Sequence, residues 1–151
     1  MAYDTILYEV RERICTITLN RPEHMNSYNS QMCQEINLAL DAADSDDDVR
    51  VVIFTGAEGG KRPAYCAGFD LTVDRPFDFS EAGFHNTRDT GGTNALRIYA
   101  MRKPVLAAIN GSAVGIGITM TLPMDMRILS EDAKLGFVFA RRGYVNEACS
   151  S

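Results

Sequence analysis

Apolar and polar residues alternate from Thr5 to Val10 and again from Ile14 to Leu19, with Arg11-Glu12-Arg13 between the two runs. A period of two interrupted by charge predicts a β-hairpin. Asn20-Arg21-Pro22-Glu23 ends the second strand, and His24-Met25-Asn26-Ser27-Tyr28-Asn29 is polar and turn-prone. Ser30 then stands where a cap belongs for a helix from Gln31 to Ala43, whose apolar face holds Met32, Ile36, Leu38, Ala39, Leu40 and Ala43. Ser45-Asp46-Asp47-Asp48 ends that helix. The acidic run reads as a solvated loop, because carboxylates so close in sequence need further ligands before they hold a metal. Val49 to Thr55 is apolar almost without a break, as expected of a strand buried on both faces.

Gly56 to Pro63 reads as a loop, and Ala64 to Leu71 as a short strand that turns at Gly68. Residues 72 to 86 are polar, contain Pro76 and several aromatics, and have no period, which suits a covering loop. Asp89 to Gly92 punctuates the chain before a short helix from Asn94 to Met101, closed by Arg102-Lys103-Pro104. Val105 to Ile109 is a strand, Gly111 to Gly117 a glycine-rich turn, and an apolar helix is entered from that turn. Arg127 to Leu129 resumes a strand, Ser130 to Ala133 turns, and the apolar run Leu135 to Phe139 is broken at Arg141-Arg142-Gly143. The two-strands-then-helix rhythm predicts one α/β domain over residues 1–151 with largely parallel pairing.

With 46% apolar and 23% charged residues the balance is that of an ordinary globular chain. A net charge of −5 without a basic stripe argues against nucleic acid or an anionic membrane as partner. There is no apolar run long enough for a bilayer and no basic region ahead of one at the N-terminus. Cys15, Cys33, Cys66 and Cys149 are scattered without metal spacing, so reduced thiols in the cytoplasm and no metal site are expected.

Two glycine turns follow the buried strands: Cys66-Ala67-Gly68-Phe69-Asp70 and Ala113-Val114-Gly115-Ile116-Gly117. Glycine lets backbone approach a ligand closely, and a helix start leaves N–H groups unpaired. Two such donors converging on one point stabilise an oxygen that becomes an anion, and losing one costs about 3 kcal/mol in the transition state. A tight strand-to-helix connection without chemistry accounts for either turn taken alone. His24 and His85 are isolated and read as turn or surface residues. Asp70 is placed to brace its own turn, and Asp125 a helix end. Cys66 and Cys149 have no histidine near them in sequence and read as buried structural thiols. Arg141 and Arg142 read as a solvated pair or an oligomer contact.

Ala64-Tyr65-Cys66-Ala67-Gly68-Phe69-Asp70-Leu71, Lys103 to Gly111, Ala113 to Gly117 with Met124-Asp125, Asn20 to Asn26 and Phe137 to Gly143 together resemble the crotonase family, the enoyl-CoA hydratases and isomerases. The resemblance runs in the family's order over essentially the whole chain. It implies an α/β, crotonase-like spiral of ββα units, of which residues 1–151 form the N-terminal core, incomplete at the C-terminus. It implies a coenzyme A thioester as substrate, no permanently bound cofactor, and a homo-oligomer, trimer or hexamer. The thioester oxygen is then held by the N–H groups of Phe69 and Ile116. Arg21, Met25, Ala64, Cys66, Ala67, Gly68 and Asp70 line the CoA path, Gly115 and Gly117 form the second turn, and the loop 72 to 96 walls the acyl pocket.

Family hydratases use two glutamates to add water across the double bond; the matching positions here hold Thr119 and Phe139, neither able to exchange a proton at neutral pH. Glu147, in Val145-Asn146-Glu147-Ala148-Cys149-Ser150-Ser151, instead matches the single glutamate of the family's Δ3,Δ2-enoyl-CoA isomerase branch, where it is expected to open a helix. One carboxylate suffices for isomerisation: it takes the C2 proton and returns it at C4. Double-bond isomerisation in fatty-acid metabolism is the implied function, with enoyl-CoA hydration or a non-catalytic acyl-CoA-binding or interaction role as alternatives. Apart from the resemblance, Glu147 reads as an exposed acid at a helix start.

Overall fold

The structure, a computed structural model, describes residues 2–72 and 89–150. His85 and most of the expected covering loop lie outside these residues. The predicted hairpin forms from Ile6–Arg11 (β1) and Ile14–Leu19 (β2), antiparallel, with Ile6 opposite Leu19 and Arg11 opposite Ile14. Its two turn residues, Glu12 and Arg13, both take positive φ, the geometry a tight twisted hairpin demands.

Helix α1 spans Ser30–Ser45, and its cap is Asn29, whose side chain accepts from the Met32 N–H at 2.8 Å. This moves the cap one residue from the expected Ser30: the amide oxygen of Asn29 reaches the third residue ahead. Met32, Ile36, Ala39, Leu40 and Ala43 face the core as the period requires, but Leu38 points outward and is exposed. The helix also buries Glu35, whose carboxylate gathers the N–H groups of Asp4 and Thr5, the Thr5 hydroxyl and the Gln31 amide. Burial disfavours its charge, and these donors outweigh that cost and hold the carboxyl below its usual range.

The remaining elements are β3 (Val51–Gly56), β4 (Ala64–Cys66), α2 (Thr90–Tyr99), β5 (Val105–Ile109), β6 (Ser112–Val114), α3 (Ile116–Thr119), β7 (Met126–Leu129), β8 (Leu135–Gly136) and α4 (Phe139–Arg142). They form a five-stranded sheet, β1-β2-β3-β5-β7, and a three-stranded sheet, β4-β6-β8. Each later pair of strands divides between the sheets. β3, β5 and β7 join the large one in parallel, β4, β6 and β8 join the small one in parallel, and a helix follows each pair. This is the expected spiral of ββα units.

Parallel register aligns the core. Cys15, Val52 and Val105 are paired neighbours, as are Ile17, Phe54 and Ala107, and all six are buried. The opposite face of β3 is half-buried at Val51, Ile53 and Thr55, so this strand alternates instead of being covered on both sides. Every residue of β7 is exposed.

Several sequence expectations are corrected. Ser112–Val114, read as turn, is strand β6; three residues between glycines are too few to show a period. The apolar helix after Gly115 is the four-residue α3. Residues Phe139–Arg142, read as the end of an apolar run, make the helical turn α4. Helix α2 starts four residues before the expected Asn94, through Gly91 and Gly92, because Asp89 caps it. Asp125 holds the start of β5, accepting from the Val105 N–H at 2.8 Å, rather than a helix end.

Candidate active site

Neighbouring parallel strands end on the same side of their sheet, so the segments that leave them gather at that edge. Ala64 and Cys66 of β4 pair with Ser112 and Ala113 of β6, which pairs in turn with Leu135 and Gly136 of β8. The two glycine turns are the continuations of β4 and β6. Segment 137–139 continues β8.

The first turn is fixed by Tyr28. Its N–H donates to the Gly68 carbonyl at 2.9 Å and its carbonyl accepts from the Asp70 N–H at 2.8 Å, a parallel bridge centred on Phe69. In such a bridge the central residue's own N–H faces the other way. Gly68 has φ +108, and a Cβ there would stand 3.1 Å from the Val114 carbonyl oxygen, so glycine is required twice over.

Behind this turn lies a buried ion pair. Arg21 Nη2 meets Asp70 Oδ2 at 2.8 Å, and Arg21 Nη1 donates to the Ser27 carbonyl at 2.7 Å. Burial alone would push the Asp70 carboxyl up. Hydrogen bonds from the Thr72 hydroxyl and N–H and from Arg21 outweigh it and bring the group down to about 2.

In the second turn Gly115 takes φ 53 and ψ −124 and donates to the Gly136 carbonyl at 2.9 Å. Ile116 opens α3, where a helix has no internal partner for its N–H. Neither the Phe69 nor the Ile116 N–H donates a hydrogen bond among the described residues. The turns abut closely: a Cβ at Gly117 would collide with the Cys66 carbonyl.

One cavity of about 470 Å³ is lined by Ala67, Gly68, Phe69, Gly115, Ile116 and Glu147, with Leu71, Asp89, Thr90, Val138, Phe139, Arg142 and Tyr144 among its other walls. Glu147 stands over the second turn, since a Cβ at Gly115 would lie 3.6 Å from its Oε1. Burial pushes the Glu147 carboxyl up to about 7, and the charge of Asp89 adds to the rise. Near neutrality such a group both takes and returns a proton.

Glu147 does not open a helix. Ala148 and Cys149 both take the left-handed conformation, with φ 52 and 55. Cys149 is exposed, contrary to the buried role expected of it, while Cys66 is fully buried. Burial pushes the Cys66 thiol up to about 11, which leaves it inert as a nucleophile.

A second cavity, of about 380 Å³, is lined by Met25 and Ala64 with Pro22, Asn26, Arg62 and Asn110. Of the sequence-derived site residues, Arg21, Cys66, Asp70 and Gly117 line neither cavity and stand behind the turns. His24 is surface-exposed on the 3-10 turn Pro22–His24. Thr119 is fully buried, its hydroxyl directed at the Gly115 carbonyl at 3.3 Å, and Phe139 is part of the apolar wall. Asp89 reads in the sequence as punctuation, yet it lines the main cavity; an aspartate two residues ahead of Gly-Gly is the cap signal that marks it. Among the described residues there is no cluster of His, Cys, Asp and Glu suited to a metal, and no helix long and apolar enough to cross a membrane.

A family model described as enoyl-CoA hydratase/isomerase matches residues 9–151. The enoyl-CoA hydratase AFT3-1 of Alternaria alternata is 47% identical over 142 residues, covering 91% of this chain and 45% of its own length. The 1,2-epoxyphenylacetyl-CoA isomerase of Escherichia coli is 34% identical over 149 residues, covering 93% of this chain and 53% of its own. Among solved structures, an enoyl-CoA hydratase from Bacillus anthracis superposes with a TM-score of 0.84 at 29% identity, over 96% of this chain and 55% of the other. An enoyl-CoA hydratase/isomerase from Xanthobacter autotrophicus Py2 superposes with a TM-score of 0.83 at 34% identity, over 94% and 52%. The chain thus spans about half the length of the proteins it matches.

Proposed function

The chain belongs to the enoyl-CoA hydratase/isomerase (crotonase) family, and from that premise we propose that it binds an enoyl-CoA thioester and moves its double bond from C3 to C2. One observation carries this reading: Glu147 shares a cavity with both glycine turns, the other carboxyl there, Asp89, is taken up by three backbone N–H groups, and the positions matching the hydratase acids hold buried Thr119 and apolar Phe139. The thioester oxygen lies between the N–H groups of Phe69 and Ile116. The Glu147 carboxylate removes a C2 proton, the C2–H electrons pass into the thioester, and the resulting dienolate oxygen is stabilised by the two donors. Glu147 then returns the proton at C4 as the dienolate collapses to the conjugated 2-enoyl thioester, so base and donors are regenerated.

The cavity beside Met25 and Ala64 is assigned to the distal part of the CoA moiety. One of its lining residues, Ala64, stands three positions before Ala67, which lines the acyl cavity. The reaction needs no permanently bound cofactor, and coenzyme A enters only as part of the substrate. The cytoplasm, fatty-acid metabolism and a trimeric or hexameric assembly belong to the same proposal.

Hydration is the second reading, favoured by the names of relatives such as the Alternaria alternata protein. The test is to incubate the purified chain with 3-enoyl-CoA and 2-enoyl-CoA in separate reactions. Conversion of the first to the second, without hydration of the second, supports isomerisation. Accumulation of 3-hydroxyacyl-CoA supports hydration. Binding of both without turnover removes the catalytic reading. Because the base must be ionised to act, kcat for isomerisation is expected to rise with pH through about 7 and level off above it.

A further inference from the structure

The carboxylate of Asp89 accepts three backbone N–H groups. Oδ1 takes Gly91 at 3.0 Å, and Oδ2 takes Gly92 at 3.1 Å and Ala148 at 2.6 Å. The first two cap α2. The third is not needed by a cap, and it reaches 59 residues along the chain.

Ala148 is the residue after Glu147. It is buried, and it opens the pair of left-handed residues, Ala148 and Cys149, that turns the chain out of the cavity. Side chains with a Cβ populate that region sparsely and stay there only where surrounding contacts insist. Asp89 supplies one such contact. The Ser150 N–H, donating to the Glu147 carbonyl at 3.0 Å, supplies another. Packing supplies a third: a Cβ at Gly91 would stand 3.1 Å from the Ala148 Cβ, so the turn sits directly on the start of α2. Without Asp89 the Ala148 N–H finds an acceptor only by leaving its buried place for water.

We infer that Asp89 is a positioning residue for the Glu147 base: by gripping the Ala148 N–H it holds the left-handed turn that directs the Glu147 carboxyl over the second glycine turn. The inference rests on the reading of Glu147 as the base. Asp89 also acts through charge. Among the described residues, the titratable and charged groups facing Glu147 are Asp89 at the cap of α2, Arg142 of α4, Tyr144, and Cys66 at the end of β4. Of these Asp89 disfavours the ionised base.

The test compares the unaltered chain with Asp89→Ser, Asp89→Asn and Glu147→Gln. Serine still accepts from the start of α2 but is too short to hold Ala148. Asparagine keeps one acceptor oxygen and loses the charge. For Asp89→Ser the expected results are a nearly unchanged Tm, loss of hydrogen-exchange protection at the Ala148 amide, and a downward move of the Glu147 titration followed by 13C NMR. The kcat on 3-enoyl-CoA falls about 10²-fold, the scale expected of a misplaced catalytic group, with KM almost unmoved. Asp89→Asn lowers the titration likewise and loses less kcat.

An unmoved Glu147 titration with wild-type kcat in both Asp89 variants overturns the inference. So does a kcat that falls only in proportion to the folded fraction. Retained turnover in Glu147→Gln defeats the base reading instead. In that case the amide exchange and the carboxyl titration still decide whether Asp89 holds the turn.

Discussion

Glu147→Gln is expected to lower kcat for 3-enoyl-CoA isomerisation by about 10²- to 10⁴-fold, the contribution of a positioned general base. The amide has the shape of the acid and keeps its hydrogen-bonding reach, but it cannot take the C2 proton. The two backbone donors remain, so the thioester is still bound and KM changes little. The same substitution is expected to stabilise the fold at high pH. The folded Glu147 carboxyl sits at about 7, above its unfolded value near 4.3. The native state therefore holds a proton that the unfolded chain has lost between these values, and stability falls as pH rises through that window. Glutamine does not titrate, so the gain of the variant over the native chain grows from about pH 4 and is complete above about pH 7. Stopped-time assays with both substrates and urea melts at pH 5 and pH 8 check the two halves. Unchanged turnover, or a variant less stable at pH 8 than at pH 5 relative to the native chain, contradicts them.

Arg21→Met carries the largest expected loss of stability. The guanidinium and the Asp70 carboxylate are both nearly fully buried, and breaking such a pair from one side leaves an uncompensated charge at a cost of about 3–5 kcal/mol. That is a large fraction of the roughly 5–15 kcal/mol that typically holds a domain together. Asp70 adjoins Phe69, so the damage falls on the first glycine turn as well as on the global fold. Adding Asp70→Asn to Arg21→Met removes the stranded charge and is expected to recover more than half of the loss. Urea unfolding of the two single variants and the double variant gives the coupling directly. A loss in Arg21→Met within about 0.5 kcal/mol, the range of ordinary surface changes, shows that the pair does not hold the turn. The pair's contribution is present above the ordinary carboxylate value near 3.9. It is lost as the pH falls through about 2, where the folded Asp70 takes its proton.

Where the period is strong, the sequence suffices. The hairpin, α1, β3 and β5 each run five residues or more with a clear alternation or helical stripe, and they stand within a residue or two of their expected bounds. Strands β6 and β8 have three and two residues, too short for any period, and their existence depends on pairing with each other and with β4. Gly91 and Gly92 disguise the start of α2, because glycine is a poor helix former. Glycine leaves room there for the Ile116 side chain, whose end a Cβ at Gly91 would meet. Both glycine turns are legible as motifs, but their adjacency comes from the pairing of strands nearly fifty residues apart. The buried partnership of Arg21 with Asp70 and the reach of Asp89 to Ala148 are tertiary facts that no local pattern announces.

The segment carrying Glu147 hangs on slender supports. A two-residue strand and a single helical turn lead into it, residues 141–146 are exposed, and the described contacts beyond them centre on Ala148. The central strands, with Ile17, Phe54 and Ala107 sealed in the core, open only when the whole domain does. Detachment of the segment carrying Glu147 is expected to be a separate and cheaper event. If Glu147 is the base, the fraction of molecules competent for chemistry is set by how long that segment stays docked, and a mild denaturant is expected to silence turnover while the far-ultraviolet circular dichroism of the sheet is still intact.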